Sequence, residues 1–124
     1  MAVSPSFLAF VLEQLEGIKG LTHRRMFGGV GLYGGDVFFA VIDNDTIFFK
    51  VDDELAARYR KAGMPPFAPM PGKPPMMSYY QVPPDVLEDA DEMVKWAKES
   101  IVRAGTRRAR KSVRRSKGPK VQGS

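Results

Sequence analysis

The sequence predicts an α+β fold of two layers, an antiparallel sheet of about five strands with helices packed on it. Helical hydrophobic periods bracket the chain near its start and at residues 86–104. Between them lie short runs rich in Phe, Val and Ile, punctuated by Gly- and Asp-containing turns. The length of 124 residues fits one domain. A chain of this size buries roughly two thirds of its unfolded surface, enough for a core without covalent staples.

Ser4-Pro5 reads as an N-cap followed by Pro in the first turn. Leu8, Val11, Leu12 and Leu15 then recur at helical spacing, and Gly17 and Gly20 end the helix. Arg25–Phe27 and Val30–Tyr33 read as extended, with a bulge or sharp bend at Gly28-Gly29. Gly34-Gly35 marks a turn before Val37–Ile42, and Asp43-Asn44-Asp45 another before Thr46–Val51. These segments form an antiparallel meander of three short strands. Asp52 caps a second helix, with Leu55, Tyr59 and Ala62 on its inner face and Gly63 at its end. The stretch Met64–Met77 holds six prolines and four of the seven methionines, so only a short edge strand near Phe67 is expected there. Ser78–Val82 reads as a strand stopped by Pro83-Pro84. Asp85 and Glu88 resemble a capping box for a last helix carrying Val86, Ala90, Met93, Ala97, Ile101 and Ala104.

The formal net charge of +5 conceals two regions of opposite sign. Residues 1–104 hold 11 Lys/Arg against 14 Asp/Glu, and residues 105–124 hold 8 Lys/Arg and no acid. Like charges at that density disfavour compact folding. The expected organisation is therefore a domain over residues 1–104 and a basic, flexible tail over 105–124. The longest uninterrupted apolar run is Val37–Ile42, far short of the roughly 20 residues that span a bilayer. No targeting segment is recognised, and a cytoplasmic location is expected.

No cysteine is present, which removes disulfides, thiolate nucleophiles and cysteine-held metals, and His23 is the lone imidazole. No cofactor is expected. Gly29–Gly34 matches G-x-G-x-x-G, but a strand follows it where a phosphate-binding loop needs a helix N-terminus. Asp43, Asp45 and Glu54 fall at three calcium-loop positions, yet Ile47 and Phe48 occupy places that need a ligand and a glycine. His23 beside Arg24-Arg25 has no Ser or Cys nucleophile in a recognisable setting. Phe38-Phe39 and Phe48-Phe49 raise the idea of a base-stacking platform. Each pair sends one ring to either sheet face, and Lys50 is the one basic residue among them, which counts against it.

Two segments carry the positive signals. In the methionine/proline stretch, Met64, Phe67, Met70, Met76 and Met77 are candidates for contact with a protein partner, because flexible thioethers adapt to apolar surfaces. In the tail, Arg107, Arg108, Arg110, Lys111, Arg114, Arg115 and Lys117 are candidates for non-specific DNA or RNA binding through counterion release, with a helix formed on binding.

Met26-Phe27-Gly28-Gly29, an aromatic hairpin ending in Phe49-Lys50-Val51-Asp52, Ser78-Tyr79-Tyr80-Gln81-Val82-Pro83 and a helix bearing Trp96 together resemble the TfoX N-terminal domain family of bacterial proteins, over about residues 5–102. The resemblance implies the order α-β-β-β-α-β-β-α. It also implies regulation rather than catalysis, as in competence regulators that act alongside the cyclic-AMP receptor protein. It supplies no catalytic residues, so the motif residues are fold landmarks. The chain departs from the pattern in having only a basic tail where competence regulators carry a second helical domain, and in its proline-rich fourth-strand region. The expected function is a small non-catalytic regulatory or adaptor domain that binds another protein. The alternatives are nucleic-acid binding led by the tail with Arg24 and Arg25, and an enzyme that would need a concave polar site.

Overall fold

The computed structural model describes residues 3–26, 28–70 and 72–117, with side chains as far as Gly105. Residues 1–2, Phe27, Pro71 and residues 118–124 lie outside it. The elements are α1 (Pro5–Gln14), β1 (Leu21–Met26), β2 (Gly29–Gly34), β3 (Val37–Asp43), β4 (Thr46–Lys50), α2 (Asp53–Lys61), β5 (Pro66–Phe67), β6 (Met76–Gln81), α3 (Pro84–Leu87) and α4 (Ala90–Lys117). The strands form one antiparallel sheet in the order β1-β2-β3-β4-β6-β5.

The sheet has six strands where about five are expected, because the first extended stretch folds back on itself. Gly28 takes a φ of 81°, and the chain reverses there to pair Met26 with Gly29. The β3–β4 hairpin turns through Asn44 and Asp45 at φ 51° and 53°, the doubly left-handed turn that Asn and Asp tolerate. Asp45 is engaged there in structure, since its Oδ1 accepts the Ser4 N–H at 2.7 Å. Ser4 in turn caps α1, its Oγ accepting the Phe7 N–H.

All helices pack on one face. Val11 and Leu15 of the α1 region, Leu55 and Tyr59 of α2, and Met93 and Ala97 of α4 share one core with Val30, Leu32, Ile42, Ile47, Phe49 and Tyr80 of the sheet. An extra residue in β3 opposite the Leu32–Tyr33 step turns both Phe39 and Ala40 inward. Gly34 gives α4 its close approach: a Cβ there would stand 2.7 Å from Ile101 Cδ1.

Two local expectations are corrected. Ala62 is exposed at the end of α2, and Ala56 fills the inner face instead. The last helix does not begin with an Asp85 cap, since α3 is a single turn that starts after Pro83 without a side-chain cap. The break falls at Glu88-Asp89, where Asp89 Oδ1 accepts the Glu92 N–H and starts α4. Beyond that cap, α4 extends through Gly105 to Lys117.

Candidate interaction surface

Among the described residues no helix covers the second sheet face, and aromatic side chains fill it. Alternation along the strands sends Tyr33, Phe38, Val41, Phe48 and Tyr79 to this side, and edge strand β5 adds Phe67. Phe48 and Phe67 meet at 4.6 Å between centroids, and Phe67 stands edge-on to Tyr79. The three are nearly enclosed by one another and their neighbours. Tyr33 and Phe38 remain half-buried, 5.2 Å apart, and Phe38 reaches to 6.1 Å from Tyr79.

Two cations flank these rings. Lys50 Nζ lies 5.0 Å from the Tyr79 centroid, within cation–π range. Arg24, exposed on edge strand β1, is paired with Gly31, which puts it on the same face. Gly31 is kept small by that face: a Cβ there would meet Phe38 Cε1 at 2.5 Å and Met26 Cε at 2.7 Å. Burial, and secondarily the neighbouring Tyr33, raise the Tyr79 pKa, so its hydroxyl is neutral in the physiological range.

Charge divides by layer. Of the 14 acids, Asp43 alone lies in a strand, whereas the strands hold Arg24, Arg25 and Lys50. The helix layer instead uses its acids to hold itself together. Arg103 of α4 donates to both Asp52 oxygens at 3.0 and 2.8 Å and to Glu54 Oε1 at 2.9 Å, locking α4 to the start of α2. Those hydrogen bonds raise the Arg103 pKa further, against the cost of burial. Burial works to raise the Asp52 pKa, but the Leu55 N–H and Arg103 outweigh it and the net shift is downward. A narrow crevice lined by Lys50, Val51, Asp52, Arg103 and Ala104 lies beside this clamp.

The methionine-rich arm splits into anchors and exposed residues. Met64 packs partly against the main core and Phe67 is buried in the aromatic cluster. Met70, Met76 and Met77 are 58%, 44% and 55% exposed. The seven tail cations lie within α4, and the description of side chains stops before them. At about 100° per residue their positions fall within roughly one half of the helix circumference. Exposed His23 has neighbouring cations and no partner of catalytic kind, and among the described residues no acid or His cluster could hold a metal.

The sequence reading missed that Tyr33, Phe67 and Tyr79, from three further strands, join Phe38 and Phe48 on one face with Arg24 beside them. The strand alternation of Gly31 with Tyr33, and Tyr79 within Ser78–Val82, were the available signals. Phe38 and Phe48 do lie opposite Phe39 and Phe49.

Fold and surface together define an open-faced α+β domain, with helices on one side of a six-stranded sheet and an aromatic, cation-flanked face on the other. The family model described as TfoX N-terminal domain matches residues 13–104. The chain belongs to that family, which is regulatory and non-catalytic. No curated protein matches the chain.

Proposed function

We propose that the protein is a cytoplasmic regulatory adaptor of the TfoX type that acts by binding another protein through its methionine-rich arm. Membership of a regulatory family supports the class. The observation that carries the reading is the arm itself: Phe67 is pinned into the aromatic cluster while Met70, Met76 and Met77 face solvent beside it. A segment anchored at one point and presenting thioethers elsewhere offers adaptable apolar contact at low ordering cost. A component of the transcription machinery is the partner class this reading points to, as in competence regulation.

The test is affinity capture from native lysate with the full chain and with a Met70→Gln/Met76→Gln/Met77→Gln variant. The reading expects a specific protein recovered by the wild type and lost with the variant, at unchanged thermal stability. Identical recoveries, or repeated capture of nothing specific, would sink it.

The continuous basic half-helix of α4 favours a second reading, sequence-independent nucleic-acid binding by residues 107–117. For 4 to 8 phosphate contacts, duplex affinity would fall with salt at a log–log slope of roughly −4 to −7. Replacing the seven cations by Gln would remove that slope, whereas an unchanged slope would reject the reading.

A further inference from the structure

We infer that the helix-free sheet face is a binding platform for single-stranded nucleic acid, with bases stacked on Tyr33 and Phe38 and phosphates held by Lys50 and Arg24. Three observations carry it. The first is ring placement. Tyr33 and Phe38 form a stripe across the adjacent strands β2 and β3, with ring centroids 5.2 Å apart, and it ends on the buried Tyr79 ring of β6, 6.1 Å from Phe38. Rings on adjacent strands, which lie about 4.8 Å apart, bring two aromatic surfaces side by side. That is how sheet-based single-strand binders receive successive unstacked bases.

The second is charge. Lys50 Nζ sits against the Tyr79 ring within the stripe, and Arg24 stands on the same face at the β1 edge. The sole strand acid, Asp43, pairs with Thr46, four residues from Lys50 along β4 and therefore about 13 Å from the stripe. An anionic chain laid along the rings meets cations and avoids the carboxylate.

The third is the state of the rings. Phe48, Phe67 and Tyr79 are packed into a floor under the stripe, so it is rigid. Tyr33 and Phe38 are only partly buried above that floor. A base entering there finds preformed aromatic surface, and a duplex, whose bases are already stacked inward, does not. The basic part of α4 has no such preference, which separates the two surfaces experimentally.

The experiment uses the full chain and labelled oligothymidine and oligouridine beside a duplex of the same length, read by fluorescence anisotropy over a salt series. Tyr33→Leu and Phe38→Leu keep apolar bulk and remove the flat ring. Each should weaken single-strand binding about tenfold while leaving duplex binding unchanged. Lys50→Gln should lower the single-strand salt slope by about 0.7. Should a ring variant fail to fold, photocrosslinking of a thiouridine-bearing oligonucleotide to the wild type gives an independent reading. Adducts on peptides containing Tyr33 or Phe38 support the platform. Single strands bound no better than duplex, ring variants without effect, or adducts confined to residues 106–117 each overturn it. So does a ring variant that loses a captured protein while keeping oligonucleotide affinity, which would make the face a protein interface.

Discussion

Gly105→Ala tests whether the basic segment is a rigid continuation of the body or a separate tail. Gly105 lies inside α4 as its sixteenth residue, where a glycine costs a helix about 0.8–1 kcal/mol relative to alanine. A Cβ at this position meets Val37 Cγ2 at 3.7 Å, ordinary van der Waals contact, so the methyl adds packing and no strain. The substitution should therefore stabilise the protein by about 1 kcal/mol. With a urea dependence of about 1.5 kcal/mol per molar, the midpoint rises by roughly 0.7 M. Fluorescence of Trp96, the sole tryptophan and itself on α4, reports the transition. Gly105→Pro is the opposite perturbation, removing a helix hydrogen bond and costing about 3 kcal/mol. Because Ile101 packs over Gly34 one turn earlier, that loss reaches the core. If neither variant moves the midpoint, the helix is not energetically continuous through Gly105 and the basic segment behaves as an independent tail.

The Met26–Gly29 motif makes a sharp prediction of the other sign. A Cβ on Gly29 would stand 2.5 Å from the Ile42 carbonyl oxygen, so Gly29→Ala must open the β2–β3 ladder, costing about 2 kcal/mol and lowering the urea midpoint by more than 1 M. At the acid limb, the lowered Asp52 pKa means its stabilisation is present above about pH 4 and is lost as pH falls through the folded-state value. Asp52→Asn retains a capping side chain, so it should flatten the loss of stability below about pH 4, measured by urea midpoints at falling pH. At the alkaline limb, burial raises the Tyr59 pKa well above its usual value, against a small opposing contribution from Ser100. Stability is therefore full below about pH 10 and falls as the unfolded tyrosine ionises. Tyr59 Oη and Ser100 Oγ are both buried without a completed hydrogen bond, so Tyr59→Phe should be neutral or stabilising at pH 7 and should blunt the alkaline loss.

How much of this was legible in the sequence depended on how local the cause was. Ser4 and Asp52 are read correctly as caps because a capping oxygen acts on a backbone N–H three residues away. Phe67 is read correctly as a short edge strand because proline limits what its neighbours can pair with. The split at Glu88-Asp89 escapes because Asp85 and Asp89 are both competent caps, and tertiary packing decides between them. Here Gln14 of α1 donates to the Leu87 carbonyl at 2.9 Å, fixing the end of the short turn. Phe39 illustrates a different limit. Strict alternation would put it on the face opposite Ala40, and only the extra residue against β2 lets both enter the core. The aromatic stripe is wholly non-local, since Tyr33 and Tyr79 come together only when α2 carries the chain across to the far side of β4.

The arm and the stripe are not independent surfaces, because β6 belongs to both. Met76 and Met77 open that strand and Tyr79 lies two residues further on, while Phe67 both anchors the arm and stands edge-on to Tyr79. A partner that grips the exposed methionines pulls on the same strand that floors the base-stacking stripe. Protein capture and single-strand binding on this chain should therefore be coupled rather than additive, with a free energy measurable from either side and equal in both directions. The sign follows from the packing. A partner that seats Phe67 more firmly rigidifies the floor and strengthens oligonucleotide binding, whereas one that withdraws Phe67 exposes the Tyr79 ring edge and weakens it. Phe67→Leu, which keeps the apolar anchor and removes the edge-on ring contact, should reduce that coupling while leaving each separate binding event in place.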